Sequence, residues 1–418
     1  MIRLAHPPGY GPERRYAAEV LLGELLGFEL ELVEEERSDV ELTVAGEDGA
    51  VRMPDILFAT PPERWLTEHS LPSEPLERED GLPLLFGRDL LGGAFFLLTR
   101  YEEAVLRSQR DEHGRFPATA SIAQREGFLD RPLVNEYGEQ LWTMLEERWP
   151  RLVRLKREFR VLPSHDVDIP FCTRRSLRNA VGDVVRRRDP GLAVRRLAGR
   201  SDICDTFDFL MDASEQHGVR SAFFFIAAHG PEDRIGDGYS LGDPRVLALL
   251  RRIHARGHEI GLHGSYASRD DPQRLDRELS ALRRSCTGEG IEQDAWGGRQ
   301  HFLRWAPPVW SAYERAGLDY DTSLSFADRP GFRAGICCEY PVFDLAQRRT
   351  LRLRERPLVA MEMTLQQYLG LDDDAALERL AELKRTCRRF GGDFTLLWHN
   401  DRLSWRGARR VYREALAA

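Results

Sequence analysis

Carboxylate, imidazole and guanidinium side chains follow several short apolar runs in the second part of this chain. Asp166 and Asp168 come just after the run 161–162, which is typical of the end of a buried strand. Two like charges this close repel each other, so the pair is either exposed or neutralised by a cation, a proton or an arginine. Similar runs precede four further polar residues, His263, Arg299, His301 and His399. Carboxylates and imidazoles at several strand ends are what a metal-dependent hydrolase needs.

The length and charge of the chain limit its organisation and its partners. A chain of 418 residues exceeds what one core usually supports, so we expect two domains, at residues 1–155 and 156–418. The net charge of -8 argues against a nucleic-acid-binding protein, which needs a basic surface. The oligomeric state does not follow from the sequence.

The terminal residues and the cysteines bear on the compartment. The first residues lack the charged segment, apolar core and cleavage site of a signal peptide, and no apolar run is long enough to span a membrane. The six cysteines show no C-x-x-C spacing, which favours reduced thiols over disulfides. We therefore expect a cytoplasmic protein without a membrane span.

The first domain shows a mixed α/β pattern. Its apolar spacing predicts helices at 16–26, from about Arg100, and at 141–155 with an interruption at Pro150, and strands at 28–32, 39–44 and 56–59. We expect no catalytic cluster here, and the charged stretch 107–115 is interpreted as surface. The role of this domain stays open.

Regular alternation of strand and helix patterns begins after Phe159, which is typical of parallel βα units. The predicted strands are 160–162, 221–227, 258–262, 299–302, 358–363 and 394–398. The predicted helices are 204–217, 244–256, 272–286, 308–316 and 374–390. A barrel-like sheet with helices outside would bring the polar strand ends to one mouth. The arginine-rich insertion 172–201 is interpreted as a solvated helical excursion in preference to an anion-binding lid.

An ordered set of motifs in this region resembles those of the polysaccharide deacetylase (NodB-homology, carbohydrate esterase) superfamily. The motifs are Ser164-His-Asp-Val-Asp168, Arg256-Gly-His-Glu-Ile-Gly-Leu-His-Gly-Ser-Tyr-Ala-Ser268, Arg299-Gln-His-Phe302, Tyr320-Asp-Thr-Ser323 and Leu396-Leu-Trp-His399. The resemblance implies an α/β fold: a distorted (β/α) barrel of the deacetylase type, preceded by a smaller mixed α/β accessory domain.

The resemblance also implies a role for individual residues. Asp166 matches the general base and Asp168 the metal-binding carboxylate. His263 matches the first histidine ligand, Arg299 the arginine that orients the base, and His399 the acid that protonates the leaving group. His258 is interpreted as structural.

Two positions depart from the family pattern. Ala267 stands where the family usually has a second histidine ligand. We expect His301 to replace that ligand, with Ser265 or a water as the second choice and a lost metal site as the remaining alternative. Phe302 replaces a tyrosine and can donate only through its backbone N–H to a developing oxyanion.

These residues predict a metal-dependent hydrolase, with zinc as the first choice of divalent ion. The expected reaction removes an N-acetyl group, with an O-acetyl group as second choice, from an amino sugar of a polysaccharide or its precursor. One alternative is an amidohydrolase acting on a small non-sugar amide in the same barrel. The other is a non-catalytic carbohydrate-binding or scaffold protein with a degenerate metal site.

Overall fold

The computed structural model describes residues 1–172, 185, 194, 202–233, 238–404 and 407–417. Most of the insertion 172–201 therefore lies outside the described residues, and its predicted helical excursion stays a prediction.

The amino-terminal region contains a four-stranded sheet and a separate hairpin. The sheet has the order β2-β1-β3-β4, in which only β1 and β2 are parallel. Its strands are β1 (Ile2–His6), β2 (Leu30–Glu34), β3 (Asp39–Val44) and β4 (Val51–Pro54), and the hairpin is β5 (Glu77–Glu79) with β6 (Leu82–Arg88). The strand expected at 56–59 is wrong. Leu57–Ala59 is a 3-10 turn, because Asp89 accepts the backbone N–H groups of residues 56 and 57.

Helices pack around this sheet. They are α1 (Gly11–Ala18), continued by a π-helix at Glu19–Leu25, α2 (Leu90–Leu98), α3 (Tyr101–Val105), α4 (Ile122–Arg125) and α5 (Leu133–Arg148). The helix predicted at 141–155 therefore begins and ends earlier. Trp149 has a non-helical conformation (φ -132°, ψ 80°), as expected for a residue before a proline.

The second region is built on a nine-stranded sheet that curls into a half-barrel. Its order is β12-β13-β11-β10-β9-β8-β7-β15-β14, and within it only β12 pairs antiparallel to its neighbour. The strands are β7 (Arg160–Val167), β8 (Ala222–Ile226), β9 (Glu259–Gly264), β10 (Gly297–Gln300), β11 (Tyr320–Asp321), β12 (Tyr340–Asp344), β13 (Arg349–Glu355), β14 (Ala360–Met361) and β15 (Asp393–Leu397). The predicted fold class is confirmed, as a mixed α/β chain with a distorted barrel sheet.

Helices alternate with these strands, as the sequence predicted. They are α6 (Phe207–Gln216), α7 (Pro244–Ala255), α8 (Pro272–Gly288), α9 (Pro308–Ala316), α10 (Asp373–Arg389) and α11 (Ala408–Leu416). The sequence reasoning missed the hairpin of β12 and β13, although the alternation in Thr350-Leu-Arg-Leu-Arg354 is a strand signal.

One continuous hydrophobic core runs through both regions. Tyr16 of α1 packs on Phe343 of β12 with ring centroids 5.1 Å apart. The Arg333 guanidinium donates twice to the buried Glu103 carboxylate, at 2.9 and 2.6 Å. The division of the chain at residues 155/156 remains a proposal.

One cysteine prediction is corrected. Cys172 and Cys204 form a disulfide, whereas the other four cysteines are free and buried. Spacing along the chain gave no sign of this pair, because the two residues are 32 positions apart in sequence. Among the described residues, no helix has both the length and the apolar character needed to cross a membrane. The compartment stays a prediction.

Candidate active site

The predicted site residues lie together at the carboxyl ends of neighbouring parallel strands. Strand β7 carries Asp166 near its end, and Asp168 follows it. His263 on β9 pairs in register with Arg299 on β10, and His301 begins the 3-10 turn after β10. His399 comes two residues after β15. Because parallel strands end at one edge of a sheet, this arrangement brings all six side chains to one mouth.

Asp168, His263 and His301 form a cluster whose ligand atoms lie within 4.8 Å of one another. His263 Nε2 is 3.4 Å from Asp168 Oδ1 and 3.0 Å from His301 Nδ1. His301 Nδ1 is 3.6 Å from the same carboxylate oxygen. This is the set of metal ligands predicted from the sequence; their role as ligands remains a prediction.

The hydrogen bonds of the two histidines fix which nitrogens face each other. His263 Nδ1 donates to the carbonyl oxygen of Arg299 (3.0 Å), and His301 Nε2 donates to the carbonyl oxygen of Asp233 (2.8 Å). A carbonyl oxygen can only accept, so the other two nitrogens present lone pairs to each other whenever both rings are neutral. Two lone pairs 3.0 Å apart repel unless a proton or a cation lies between them.

The three cluster residues shift one another's pKa values. Burial alone would raise the pKa of Asp168, but the charges of His301 and His263 hold it well below its usual value. Burial lowers the pKa of His301. For His263, burial is outweighed by Asp166 and Asp168, so its pKa is raised. The Asp168 carboxylate therefore stays ionised beside the two histidines.

Asp166 and Arg299 lie beside the cluster. Arg299 Nη1 is 3.6 Å from Asp166 Oδ1, and its Nη2 donates to the hydroxyls of Ser164 (2.9 Å) and Thr322 (3.0 Å). Arg299 Nη1 and Asp166 Oδ1 are buried, and among the described residues neither has a hydrogen-bond partner. Hydrogen bonds through Nη2 thus hold the Arg299 guanidinium, while its Nη1 faces Asp166.

His399 has a partner that the sequence reasoning missed. Its Nδ1 donates to Glu362 Oε1 at 2.6 Å, and its Nε2 points to Asp168 Oδ2 (3.8 Å) and Asp166 Oδ2 (4.0 Å). Burial would lower the pKa of His399, but the Glu362 carboxylate raises it to about 10. The signal in the sequence was one acidic residue inside the apolar run Leu358-Val-Ala-Met-Glu-Met363.

The three cluster residues, together with Asp166 and His399, line a cavity of about 200 Å³. One wall is largely apolar and includes Phe302, Leu303, Met361, Met363 and Tyr368. Arg115 of the first region also lines it, with its side chain only 11% exposed. The interpretation of 107–115 as surface is therefore wrong for Arg115, because this stretch packs against the turn after β10.

A larger cavity, of about 480 Å³, lies at the amino ends of the strands and contains none of the cluster residues.

The two residues considered as replacements for the missing second histidine ligand, His301 and Ser265, differ in their position relative to the cavity. Ala267 lies in the 3-10 turn Tyr266–Arg269, and the Ser265 hydroxyl donates to Glu278. Ser265 is not among the described residues that line the cavity, whereas His301 is. His258, interpreted as structural, accepts the backbone N–H of Ser221 and contacts Glu215.

The cluster fits a divalent ion. Asp168 Oδ1 is buried and has no hydrogen-bond partner among the described residues, although a buried carboxylate oxygen normally has one. One carboxylate oxygen and two imidazole nitrogens are the donor set of three-ligand catalytic zinc sites. A cation at this point would satisfy the orphaned oxygen and both facing nitrogens.

Comparison with known proteins gives two results. A family model described as a family of unknown function (DUF7033) matches residues 3–150. No curated protein matches the chain.

Several solved structures match residues of this chain at low identity. A Mycobacterium smegmatis protein that carries the name polysaccharide deacetylase is 18% identical over 62% of this chain and 83% of its own, with a TM-score of 0.41. A Bacillus cereus polysaccharide deacetylase is 10% identical over 62% of this chain and 86% of its own, with a TM-score of 0.30. PuuE allantoinase is 13% identical over 62% and 82%, with a TM-score of 0.37.

Polysaccharide deacetylases recur among these structures. This is the superfamily that the motifs of the chain resemble.

Proposed function

We propose that this chain is a metal-dependent hydrolase that removes an N-acetyl group from an amino sugar. The observation that carries the proposal is the convergence of Asp168 Oδ1 with His263 Nε2 and His301 Nδ1 beside a second carboxylate. These three residues would hold a divalent ion, with zinc preferred because its catalytic sites use imidazole and carboxylate ligands. The ion would supply Lewis acidity at the acyl oxygen.

Asp166 takes the general-base role in this proposal. It lies 3.6 Å from His263 Nε2, and so next to the cluster, and its free oxygen faces the Arg299 guanidinium. A carboxylate in that position accepts a proton from the water that attacks the acetyl carbon. Arg299 orients the carboxylate through the approach of its Nη1.

His399 takes the acid role. An amide nitrogen must be protonated as the C–N bond breaks, because a free amide anion is too poor a leaving group. The Glu362 carboxylate keeps His399 protonated at neutral pH, with Nε2 turned to the two aspartates. His399 therefore carries the proton that the leaving amine needs.

The sugar substrate is supported by the ordered motifs and by the apolar wall of the cavity. Phe302, Met361 and Tyr368 offer surfaces on which an acetyl methyl group and a sugar ring can pack. An O-acetyl sugar or a small non-sugar amide would use the same groups, so the choice of substrate decides between these alternatives.

Acetate release tests the proposal. Zinc-loaded protein is incubated with N-acetylated amino sugars, their oligosaccharides and nucleotide conjugates, an O-acetylated sugar and a small non-sugar amide, and product is measured. We expect acetate from an N-acetylated sugar. We also expect a loss of roughly 100- to 10,000-fold in turnover in Asp166→Asn, because the base is removed.

Asp374→Asn is the matched control, since Asp374 is an exposed carboxylate on α10 whose change should leave turnover intact. Product from the non-sugar amide alone would favour the amidohydrolase. No product from any compound, with no bound metal, would favour the non-catalytic alternative.

A further inference from the structure

The turn that follows β10 is strained, and it carries His301. Phe302 (φ 60°, ψ 14°) and Leu303 (φ 54°) both adopt the left-handed conformation, which non-glycine residues rarely do. Such residues persist only where surrounding contacts hold them. The contacts that hold this turn therefore bear on the position of His301.

Several of these contacts come from the first region, at the turn Asp111–Arg115. Arg115 Nη1 donates to the carbonyl oxygen of Phe302 at 3.1 Å, across 187 residues of sequence. The His113 ring packs on the Phe302 ring with centroids 4.6 Å apart. Arg304 Nε donates to the carbonyl oxygen of His113 at 2.8 Å. The residues on both sides of Leu303 are thus hydrogen-bonded to the first region.

Arg115 is itself held rigidly. Asp111 accepts from its Nε at 2.7 Å and from its backbone N–H at 2.8 Å. Gly114, at φ 72°, lets the turn come so close to the barrel that a Cβ there would lie 2.7 Å from Arg269 Nη1. These contacts fix the position of the Arg115 guanidinium that donates to Phe302. Arg115 also lines the cavity.

We propose that Arg115 is a positioning residue, through which the first region holds the Phe302 turn and so fixes His301 at the metal cluster. The proposal rests on the proposed function only in taking the cluster to be a metal site. It gives the first region a direct part in the active site, beyond packing on the barrel.

The test compares Arg115→Ala, Arg115→Lys and Asp111→Asn with the unchanged protein in the full-length chain. Zinc affinity, the visible spectrum of the cobalt-substituted protein, and kcat and KM on the substrate that releases acetate are measured. We expect Arg115→Ala to lower metal affinity or kcat by roughly 10- to 100-fold, as loss of a residue that supports a ligand does. The cobalt spectrum should change because His301 is displaced.

Arg115→Lys can reach Asp111 or Phe302 but cannot replace the guanidinium at both, so it should restore only part of the effect. Asp111→Asn should give a smaller change in the same direction. Arg37→Ala is the matched control, because Arg37 is 12% exposed, pairs with Asp39 and is not among the described residues that line the cavity. It should leave the spectrum and the kinetics unchanged.

Two results would overturn the proposal. A rise in KM alone, with metal affinity, spectrum and kcat intact, would make Arg115 a substrate-binding residue instead. Unchanged values in all measurements would leave it only a packing role. If Arg115→Ala does not fold, the spectra of Arg115→Lys and Asp111→Asn decide. Failure of the unchanged protein to bind metal would instead contradict the proposed function.

Discussion

Glu362 raises the pKa of His399 more than any other neighbouring carboxylate does. The two side chains are buried and only 2.6 Å apart, and the carboxylate raises the pKa of the imidazole to about 10. A histidine with a raised pKa keeps its proton as the pH rises to that value and loses it above. An acid role for His399 therefore predicts activity that persists into the alkaline range.

Glu362→Gln tests this pairing. Removing the carboxylate lowers the pKa of His399, so the alkaline limb of the pH profile of kcat/KM should move to lower pH. Turnover at high pH should fall more than turnover near pH 6, and metal content should stay the same. Glu382→Gln, a change of an exposed carboxylate on α10, serves as control. An alkaline limb at the same pH in both variants would remove His399 from the acid role.

Residue types and order sufficed to predict which side chains would meet. Asp166 and His263 lie near the ends of their strands, Asp168 and His399 lie just after theirs, and the ends of parallel strands share one edge. Glu362 was missed because it was placed inside a strand predicted at 358–363, whereas β14 ends at Met361 and Glu362 follows it. Arg115 was missed because its partner Phe302 is 187 residues away, and local patterns carry no information about such a contact.

At the scale of elements, the packing of β10 depends on its glycines. A Cβ on Gly298 would lie 2.5 Å from the Tyr313 ring on α9 and 3.0 Å from Leu318. The strand and α9 can approach this closely only because the position is glycine. The close packing of β10 on α9 therefore sets the position of Arg299, the next residue.

Gly298→Ala should therefore destabilise the fold by about 1–3 kcal/mol, the usual cost of overpacking a core. It should also lower activity, because β10 shifts with Arg299 and His301. Denaturant unfolding with parallel assays of turnover measures both effects. Gly288→Ala is the matched control, since a Cβ there meets nothing within 4 Å and alanine favours the helix end. Equal stability of the two variants would show that α9 can move away without cost.

Elements in this chain could be predicted where their patterns are long. Helix α9 matched its predicted bounds, 308–316, because prolines mark its start and Gly317 its end. The strand predicted at 56–59 is wrong because the Asp89 side chain accepts the backbone N–H groups of residues 56 and 57, and these hydrogen bonds outweigh the short apolar run. The disulfide and the β12–β13 hairpin depend on where distant segments meet.

At the scale of the molecule, the two regions share one core and one cavity. The buried pair of Arg333 and Glu103 joins them, and Arg115 reaches from one into the candidate active site of the other. We therefore expect residues 156–418 alone to expose apolar surface and to lose the support of the Phe302 turn. Arg115 would thus couple the first region to the proposed chemistry, even though the six predicted site residues lie beyond residue 155.

Zinc stoichiometry tests the central claim, that Asp168, His263 and His301 together hold one divalent ion. The full-length protein and the variants Asp168→Ala, His263→Ala and His301→Ala are dialysed against the same free zinc concentration, and bound zinc is measured by elemental analysis. His69→Ala, at an exposed histidine, is the control. We predict one ion per chain in the unchanged protein and in the control, and a sharp loss in each of the three variants, because two remaining ligands bind weakly. One ion per chain retained in all three variants would contradict the claim.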